Sequence, residues 1–332
     1  MSGGSDRVVL IVRLSALGDV AMTVPAIYSV ARCYSETSFK VLTRRLPARL
    51  FVNSPSNVTV ITANDDEIGS MTGLYRLLRR LAEEGVTDVA DLHNVLRSWI
   101  IDGYFMARGR RVAMVDKQRL ERYRRHESKR PFVERYFDVF KRLGLGAADT
   151  FDGVLPHVAD GGGCRRVGIA PFARYKSKTY PLAMMRRVVD ELSVRSDVKI
   201  FLFGGRGTEA DELAVWASGK DNVTSVAGAG VLESELSLMA TLDLMVSMDS
   251  ANMHLASLVG TRVLSVWGGT TPDCGFLGHG QRREDTIEVG LGCQPCTTAG
   301  GDGCRYGDFR CLAAISPEYI VSRIEEILVI SD

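Results

Sequence analysis

The stretch Leu244–Leu258 combines an apolar run with residues that could hold an anion. Its first part, Leu244–Met248, has the length and composition of a short buried strand. Asp249 and Ser250 follow, both residue types that favour helix N-caps, and a helical pattern of apolar residues begins after them. A strand that runs directly into a helix leaves backbone N–H groups where the helix dipole also favours negative charge. The stretch therefore suits a phosphate group, although an ordinary strand-to-helix junction has the same pattern.

Gly18 and Asp19 stand in a comparable turn near the start of the chain. They follow the β-branched run Val8–Val12 and precede an apolar helix pattern that extends from Val20 to Val30. The Gly-x-Gly-x-x-Gly spacing of a dinucleotide fingerprint is missing here, which argues against a Rossmann dehydrogenase. The Asp19 carboxylate could cap the helix or act as a base, and the turn by itself favours the cap.

The loop 171–181, which follows the apolar run Val167–Ala170, carries the cations Arg174, Lys176 and Lys178. Charged donors form strong hydrogen bonds to phosphate oxygens, so this group suits a pyrophosphate. A basic loop can also serve solubility alone, and both interpretations stay open for these residues.

Two further loops supply small or polar groups after strands of the second half. The loop 204–209 is rich in glycine and ends in Glu209, whose carboxylate could bind a ribose hydroxyl. The loop 268–272 contains Gly269, where a ligand can approach the backbone closely. Together with the strand-to-helix junction described above, these loops indicate a nucleotide diphosphate site in the second half of the chain.

Strands that alternate with helices must position these loops. Apolar runs in the first half predict strands at Val8–Val12, Phe39–Leu42, Val58–Thr62, Val86–Leu92 and Arg111–Val115. Runs in the second half predict strands at Val167–Ala170, Lys199–Phe203, Val223–Val226, Leu244–Met248 and Val263–Val266. Helical patterns separate them, at 73–84, 96–107 and 131–143 among others. This alternation predicts an α/β protein with doubly wound parallel sheets.

The segment Leu155–Arg166 contains Pro156 and three consecutive glycines, and it interrupts the alternation. Pro and Gly favour exposed linkers with few packing contacts. We therefore expect two similar α/β halves joined by a short linker, with a cleft between them.

Composition excludes several classes of protein. The chain has 332 residues, 45% hydrophobic and 24% charged, with a formal net charge of +1. These values indicate a globular α/β protein long enough for two domains, and they give no basic field for nucleic acid. No apolar run approaches the roughly 20 residues that cross a bilayer. The polar start, which leads directly into a strand, predicts no secretory signal and a cytoplasmic location.

Two features of the first half could contact an acceptor. His93 closes the fourth predicted strand and could bind substrate, although a hydrogen-bonded structural histidine is an equal alternative. The segment 117–142 is rich in Lys and Arg, including Arg125. It can be a solvated loop that leads into the helix 131–143, or a cationic surface for an anionic, membrane-borne acceptor.

Two of these stretches resemble signatures of the glycosyltransferase family 9 heptosyltransferases. Residues Val9–Val20, with Pro25, resemble the N-terminal signature of that family. Residues Met248–Ala256, with Gly260, Thr261 and the loop 268–272, resemble its donor-phosphate motif. The two signatures stand in the expected order on either side of the linker, so the resemblance covers nearly the whole chain.

The resemblance implies a GT-B fold, in which two Rossmann-like domains face each other across a cleft. The expected domains are an acceptor-binding domain over 1–158 and a nucleotide-sugar-binding domain over 164–315. The segment 316–332 begins as a helix at Pro317, and in GT-B proteins such a helix often crosses back to the first domain.

The resemblance also assigns roles to single residues. Asp19 matches the catalytic base, Lys178 matches the lysine that neutralises the donor phosphates, and Asp249 matches the anchor of the donor sugar. Donor-binding residues are then expected to be Arg174, Lys176, Glu209, Asp249, Ser250, Ala251, Met253, His254 and Gly269. Acceptor-binding residues are expected to be Ser15, Gly18, His93 and Arg125.

The implied reaction is an inverting, metal-independent transfer of heptose from ADP-heptose onto lipopolysaccharide core or a related lipid-linked saccharide. It implies a cytoplasmic protein that is peripheral at the inner membrane. Two alternatives stay open: the same fold acting on another nucleotide sugar in surface polysaccharide synthesis, and a catalytically silent nucleotide-sugar-binding protein. The presence of both Asp19 and Lys178 favours an enzyme.

Four of the seven cysteines are clustered near the C-terminus as Cys-x2-Cys-x7-Cys-x6-Cys. Four thiols in this pattern could hold a structural zinc ion. Reduced thiols that pack a glycine-rich loop, or a single disulfide, are the alternatives. The candidate ligands are Cys293, Cys296, Cys304 and Cys311. No other cofactor is expected.

Overall fold

The computed structural model describes residues 7–117, 129–158 and 163–330, and these form two compact units. The first unit lies within Met1–Leu120 and Phe132–Val154, and the second lies within Glu121–Pro131 and Leu155–Asp332. The units therefore divide at Val154, shortly before the predicted end of the first domain at 158. Val154 is buried, and its carbonyl oxygen accepts a hydrogen bond from the Asn53 side chain, which fixes it to the first unit.

The first unit contains a parallel sheet of five strands in the order β3-β2-β1-β4-β5. The strands are β1 Val8–Val12, β2 Ser38–Arg44, β3 Val58–Ala63, β4 Asp88–Asp91 and β5 Arg111–Met114. All of β1 is buried, as a central strand covered on both faces requires. The predicted doubly wound parallel sheet is confirmed for this unit.

Helices separate the strands of the first unit along the chain. They are α1 Leu17–Ala21, α2 Val24–Cys33, α3 Arg45–Ala48, α4 Asp65–Gly69, α5 Met71–Glu83, α6 Leu96–Met106 and α7 Phe132–Arg142. In α5, Leu74, Leu77, Leu78 and Leu81 are buried at the 3.6-residue spacing of an amphipathic helix. The side chain of Ser70 accepts a hydrogen bond from the Gly73 N–H group, so α5 begins slightly before the predicted start.

The second unit contains a parallel sheet of six strands in the order β11-β10-β9-β6-β7-β8. The strands are β6 Arg165–Ala170, β7 Val198–Leu202, β8 Val223–Ser225, β9 Leu244–Met248, β10 Val263–Val266 and β11 Thr286–Ile287. Counted within the unit, this order matches the doubly wound arrangement of dinucleotide-binding folds. The predicted strands at 244–248 and 263–266 have the observed bounds.

Helices of the second unit are α8 Leu182–Ser193, α9 Thr208–Ala217, α10 Leu232–Met239, α11 Ala251–Leu258, α12 Arg310–Ala313 and α13 Pro317–Ile330. The sequence led us to expect α13 to cross back to the first domain, whereas the structure groups it with the second unit. Its residues Ile320, Ile324 and Ile327 belong to the core of that unit, and the helix packs against α8. Burying this apolar stripe accounts for the location. Across the described residues, no helix combines the length and apolar character that a bilayer span needs.

Each sheet has one point at which the strand order reverses. In the first unit it lies between β1 and β4, and in the second it lies between β6 and β9. Loops that leave the carboxyl ends of two such strands diverge to opposite sides, which opens a crevice where ligands bind. The residues after these four strands are therefore the ones to inspect for a functional site.

Candidate functional site

Arg13 and Asp19 form an ion pair after strand β1 of the first unit. The Arg13 Nη2 atom lies 2.7 Å from Asp19 Oδ2, and Arg13 itself is almost fully buried. A second guanidinium nitrogen donates to the Leu92 carbonyl oxygen after β4, at 2.7 Å. Arg13 thus bridges the two strands at the reversal point and fixes the position of the carboxylate. Asp19 also accepts a weaker hydrogen bond of 3.3 Å from the Ala16 N–H group, so it is both a cap and a partly exposed carboxylate.

His93 lies after β4, in a turn that is organised by Asp91. One carboxylate oxygen of Asp91 accepts hydrogen bonds from the backbone N–H groups of His93 and Asn94, at 2.7 and 2.8 Å. The pKa of His93 is lowered to about 3, first by burial and then by the positive charges of Arg13 and Lys117. His93 is therefore a neutral imidazole throughout the physiological range, suited to hydrogen bonding and not to carrying charge.

The other residues expected to bind an acceptor have different outcomes. Ser15 is half-buried and Gly18 is buried in the turn that carries Asp19. The Gly18 carbonyl oxygen accepts a hydrogen bond from the Met22 N–H group, which gives it a role in the helix start. Arg125 lies outside the described residues, as does most of the basic segment that precedes Pro131.

Lys178 and Asp249 form a buried ion pair at the reversal point of the second sheet. The Lys178 Nζ atom lies 2.7 Å from Asp249 Oδ2, and the same oxygen accepts a hydrogen bond of 2.6 Å from Thr270 Oγ1. Lys178 is 8% exposed and Asp249 is 5% exposed. The Asp249 carboxylate therefore accepts hydrogen bonds and orients the Lys178 ammonium group. Its side chain does not cap helix α11.

The loop that carries Lys178 is held by its neighbours in the second unit. The Ser177 N–H group donates to the Gly301 carbonyl oxygen, and the Ser177 carbonyl oxygen accepts from the Gly269 N–H group at 2.6 Å. A Cβ atom on Gly269 would lie 2.7 Å from the Ser177 Cβ atom, so no side chain fits there. Gly269 thus allows two loops to meet, and its expected contact with the donor stays a prediction. The Lys178 Nζ atom also lies 5.7 Å from the centre of the Phe276 ring.

The structure separates the other cations of this loop from Lys178. Arg174 and Lys176 are exposed. The Arg174 guanidinium stacks over the Tyr175 ring at 5.3 Å, and the Lys176 N–H group donates to Asp302 Oδ1. Both side chains extend toward solvent, where ligand phosphates could reach them.

Glu209 stands in the first turn of α9, where a carboxylate interacts favourably with the helix dipole. Its Oε2 atom accepts a hydrogen bond of 2.6 Å from the Gly205 N–H group, which closes the glycine-rich loop. One carboxylate oxygen is thereby committed to the loop, and a contact between Glu209 and a ribose hydroxyl stays a prediction.

Helix α11 begins at the carboxyl end of β9. Ser250 is its N-cap residue, and the Ser250 hydroxyl lies 3.3 Å from the Ser247 hydroxyl instead of capping the first turn. Ala251 is half-buried, whereas Met253 and His254 are buried within the helix. The first turn of α11 therefore meets the ligand edge of the sheet with its backbone. The buried Met253 side chain belongs to the packing of the helix.

The four clustered cysteines are all reduced thiols. The pKa of Cys311 is raised to about 11, first by burial and then by the negative charges of Cys296, Cys293 and Cys304. Over residues 7–117, 129–158 and 163–330, no three side chains of His, Cys, Asp or Glu are grouped as a metal ion requires. The described geometry therefore gives the zinc hypothesis no ligand set, and zinc stays a prediction from spacing.

Sequence reasoning missed Arg13, Thr270 and Tyr136 as members of these sites. Arg13 could have been noticed because a charged residue follows a fully apolar strand. Thr270 lies in a loop that had been singled out for its glycines. Tyr136 on α7 is fully buried and interacts electrostatically with Arg13; burial raises the pKa of its hydroxyl to about 12. No sequence signal connects α7 with β1.

Comparisons with known proteins agree with this geometry. The family model "Glycosyltransferase family 9 (heptosyltransferase)" matches residues 74–301. Comparison with curated protein sequences gave no match. Among solved structures, a glycosyl transferase family 9 protein from Veillonella parvula DSM 2008 is similar with a TM-score of 0.75 and 16% identity, covering 99% of each chain.

Two further solved structures have the same fold. Escherichia coli heptosyltransferase WaaC with ADP has a TM-score of 0.69 and 18% identity, over 96% of this chain and 99% of WaaC. The iron-containing dodecameric glycosyltransferase TibC from enterotoxigenic E. coli H10407 has a TM-score of 0.60 and 13% identity, over 98% of this chain and 77% of TibC. At these identities the similarity demonstrates the GT-B fold. The family model matches more than half of the chain, and the protein therefore belongs to glycosyltransferase family 9, the heptosyltransferase family, and is a glycosyltransferase.

Proposed function

We propose that this glycosyltransferase moves heptose from ADP-heptose onto a lipopolysaccharide core or a related lipid-linked saccharide, with inversion at the anomeric carbon. The observation that carries the proposal is the buried Lys178–Asp249 pair at the reversal point of the second sheet. Dinucleotide-binding folds hold phosphates at this point. The neighbouring WaaC structure contains ADP, which supports an adenosine diphosphate sugar as the donor.

Lys178 supplies the charge that the donor needs as its glycosidic bond breaks. The electron pair of the bond between the anomeric carbon and the phosphate oxygen leaves with ADP, and the departing phosphate gains negative charge. A lysine that is already desolvated and oriented by Asp249 and Thr270 stabilises that charge without reorganising. This arrangement supports a transfer that needs no essential metal ion.

Asp19 supplies the base for the acceptor. Its carboxylate takes the proton of the acceptor hydroxyl while that oxygen forms the new bond to the anomeric carbon. The pair with Arg13 holds the carboxylate in one orientation, and a carboxylate is the form that accepts a proton. His93, a neutral imidazole nearby, offers a hydrogen bond to a second hydroxyl of the same saccharide.

A donor screen tests the proposal directly. Purified protein is incubated with ADP-heptose and, separately, with sugar derivatives of UDP, GDP and dTDP, and the released nucleoside diphosphate is measured with and without a lipopolysaccharide-core acceptor. We expect acceptor-dependent release of ADP alone, and Asp19→Asn as the matched control should release none. Turnover with another nucleotide sugar would show that the donor is that sugar and not ADP-heptose. Binding of ADP without turnover on any acceptor would favour the silent binding protein.

The acceptor and its location belong to the same proposal. A lipid-linked acceptor implies that the protein works at the cytoplasmic face of the inner membrane. Sedimentation with vesicles that contain the acceptor lipid, compared with vesicles that lack it, tests this association. Failure to sediment with either would remove the membrane part of the proposal and leave the transfer reaction intact.

A structural zinc ion at Cys293, Cys296, Cys304 and Cys311 is a separate proposal that rests on their spacing. Among the neighbours, TibC is described as iron-containing, so the measurement should include both metals. Metal analysis of protein purified without oxygen should find one metal ion per chain if the proposal holds. A metal-free, folded protein would show that the thiols pack the loop by themselves.

A further inference from the structure

Asp102 is a buried acidic residue for which the transfer reaction has no use. It lies in the middle of helix α6, which packs against β4 and β5, and it is 1% exposed. Within the part of the chain that the structure describes, neither of its carboxyl oxygens accepts a hydrogen bond. An ionised carboxylate so placed would lose its hydration and gain no donor in exchange, which is strongly unfavourable. The group is therefore stable only when it carries a proton.

The acceptor for that proton is Asp91, at the end of β4. Burial and the neighbouring Asp91 carboxylate together raise the pKa of Asp102 to about 8, because a protonated Asp102 can donate a hydrogen bond to Asp91. Two carboxyl groups in contact share one proton, because both cannot ionise at short distance in a buried site. At neutral pH the pair is an Asp102 carboxylic acid that donates to an Asp91 carboxylate.

Asp91 also organises the backbone turn that carries His93. One of its oxygens accepts from the N–H groups of His93 and Asn94, and the other accepts from the Ser98 hydroxyl at 2.7 Å. Ser98 and Asp102 are four residues apart and thus lie on the same face of α6. The protonated carboxyl group of Asp102 is the neutral donor on α6 that holds the Asp91 carboxylate in place.

We propose that Asp102 is a positioning residue for acceptor binding: as a buried carboxylic acid it donates to Asp91 and so holds the His93–Asn94 turn beside Asp19. The link to the acceptor rests on the proposed function, whereas the proton on Asp102 does not. When Asp102 ionises, two buried carboxylates repel each other, Asp91 shifts, and the turn loses its fixed geometry.

Among the residues that the structure describes, the other charges around this pair give Asp102 no cationic partner. Arg13 interacts electrostatically with Asp91 from the end of β1, and it is engaged by Asp19 and the Leu92 carbonyl. On β5, the Arg111 guanidinium pairs with Asp88 at the opposite end of β4. Tyr136 on α7 interacts with Arg13. None of these groups neutralises an ionised Asp102. At alkaline pH the repulsion between Asp102 and Asp91 is therefore not offset by a cation.

The test compares pH profiles of the wild-type enzyme and Asp102→Asn. Asparagine is close in size, stays neutral and still donates to Asp91. For the wild type, kcat/KM for the acceptor should fall by up to about tenfold per pH unit above 8, through KM, while ADP affinity stays constant. Asp102→Asn should lack this decline, and Asp102→Ala should have a raised acceptor KM at every pH. Asp66→Asn, which changes an exposed acid of α4, is the matched control and should keep the wild-type profile.

An infrared titration tests the proton without any assay of transfer. The wild type at pH 7 should have a protonated-carboxyl stretching band that disappears above pH 8 and is missing in Asp102→Asn. An identical spectrum for both proteins, or identical pH profiles, would overturn the proposal. If the band is present but no donor is turned over, the proposed function fails and the protonated pair stands.

Discussion

The Lys178 ammonium group and the Asp249 carboxylate are in direct contact, 2.7 Å apart, although one follows β6 and the other follows β9. These strands are hydrogen-bonded neighbours where the order of the second sheet reverses. Lys178 was assigned to the donor phosphates and Asp249 to the donor sugar, yet the two form one buried ion pair. A substitution of either residue therefore changes the surroundings of the other.

Removing one member of this pair should cost both stability and catalysis. Lys178→Met leaves the Asp249 charge buried, with Thr270 as its remaining side-chain donor among the described residues, and such losses amount to about 3–5 kcal/mol. The double variant Lys178→Met with Asp249→Leu should unfold closer to the wild-type urea midpoint than Lys178→Met alone. Urea unfolding of the three proteins checks this, and equal midpoints for the single and double variants would contradict it. None of these variants should release ADP at the wild-type rate.

Asp19 and Arg13 should respond differently to substitution. Asp19→Asn should abolish transfer and leave ADP affinity unchanged, because the base is lost while the Lys178–Asp249 pair stays intact. Arg13→Met should also lower kcat strongly, and it should destabilise the first unit because Arg13 is buried and bonded to the Leu92 carbonyl. Arg32→Ala, which removes an exposed pair with Asp152, is the control and should change the free energy of unfolding by less than about 1 kcal/mol. Normal turnover by Asp19→Asn would refute its role as the base.

Gly300 should be required for the position of Lys178. It has a φ of +94°, and a Cβ atom there would lie 2.5 Å from the Lys178 Cε atom. Gly300→Ala should therefore displace the flexible end of the lysine and lower kcat by at least about tenfold. Gly301→Ala is a close control, since its Cβ would meet only the Thr297 methyl group at 4.0 Å. Steady-state kinetics of both variants decide the point, and equal losses would mean that the loop backbone matters more than the lysine.

His93 should make the protein sensitive to acid. Its pKa is about 3 in the folded state against 6.5 in the unfolded chain, so between these values the unfolded chain binds more protons. The free energy of unfolding should thus fall as pH falls from 6.5 toward 3. His93→Gln, which cannot titrate, should lose less stability over that window. Urea midpoints at pH 7 and pH 5 test the difference, and parallel losses in both proteins would show that His93 is charged when folded.

Asp102 should produce a stability effect of the opposite sense. Its folded-state pKa of about 8 exceeds its ordinary value of 3.8, so the folded state binds the extra proton. Its contribution is complete below about pH 4 and is lost as pH rises through 8. Thermal unfolding of the wild type minus that of Asp102→Asn should therefore decline across this window. A flat difference would show that Asp102 is ionised in the folded protein.

Features of the fold that arise from local sequence patterns were predictable, and features that arise from tertiary contacts were not. Leu244–Met248 and Val8–Val12 have the predicted bounds because strands buried on both faces are continuous apolar runs. The end of the first unit at Val154 is held by tertiary contacts, among them the hydrogen bond from Asn53, which no local pattern announces.

The site was predictable as a set of loops and not as a set of contacts. Asp19, Lys178 and Asp249 were identified because polar residues follow apolar runs, and family resemblance gave them roles. Their partners depend on which strands are neighbours, and strand order is set by long-range packing. Gly269 shows the difference: its place in a small, polar loop after a strand suggested a ligand contact, and no local pattern announced the bond between its N–H group and the Ser177 carbonyl oxygen.

Both units place their charged pair where strand order reverses, on loops supported by strands of buried apolar residues. The apolar core and the charged loops are thereby separate parts of the chain. Loops such as 204–209 can diverge in length and charge while each sheet holds its own charged pair in place. A lineage built on this plan can change its sugar or acceptor through a few surface substitutions, and low overall identity among its members is the expected outcome.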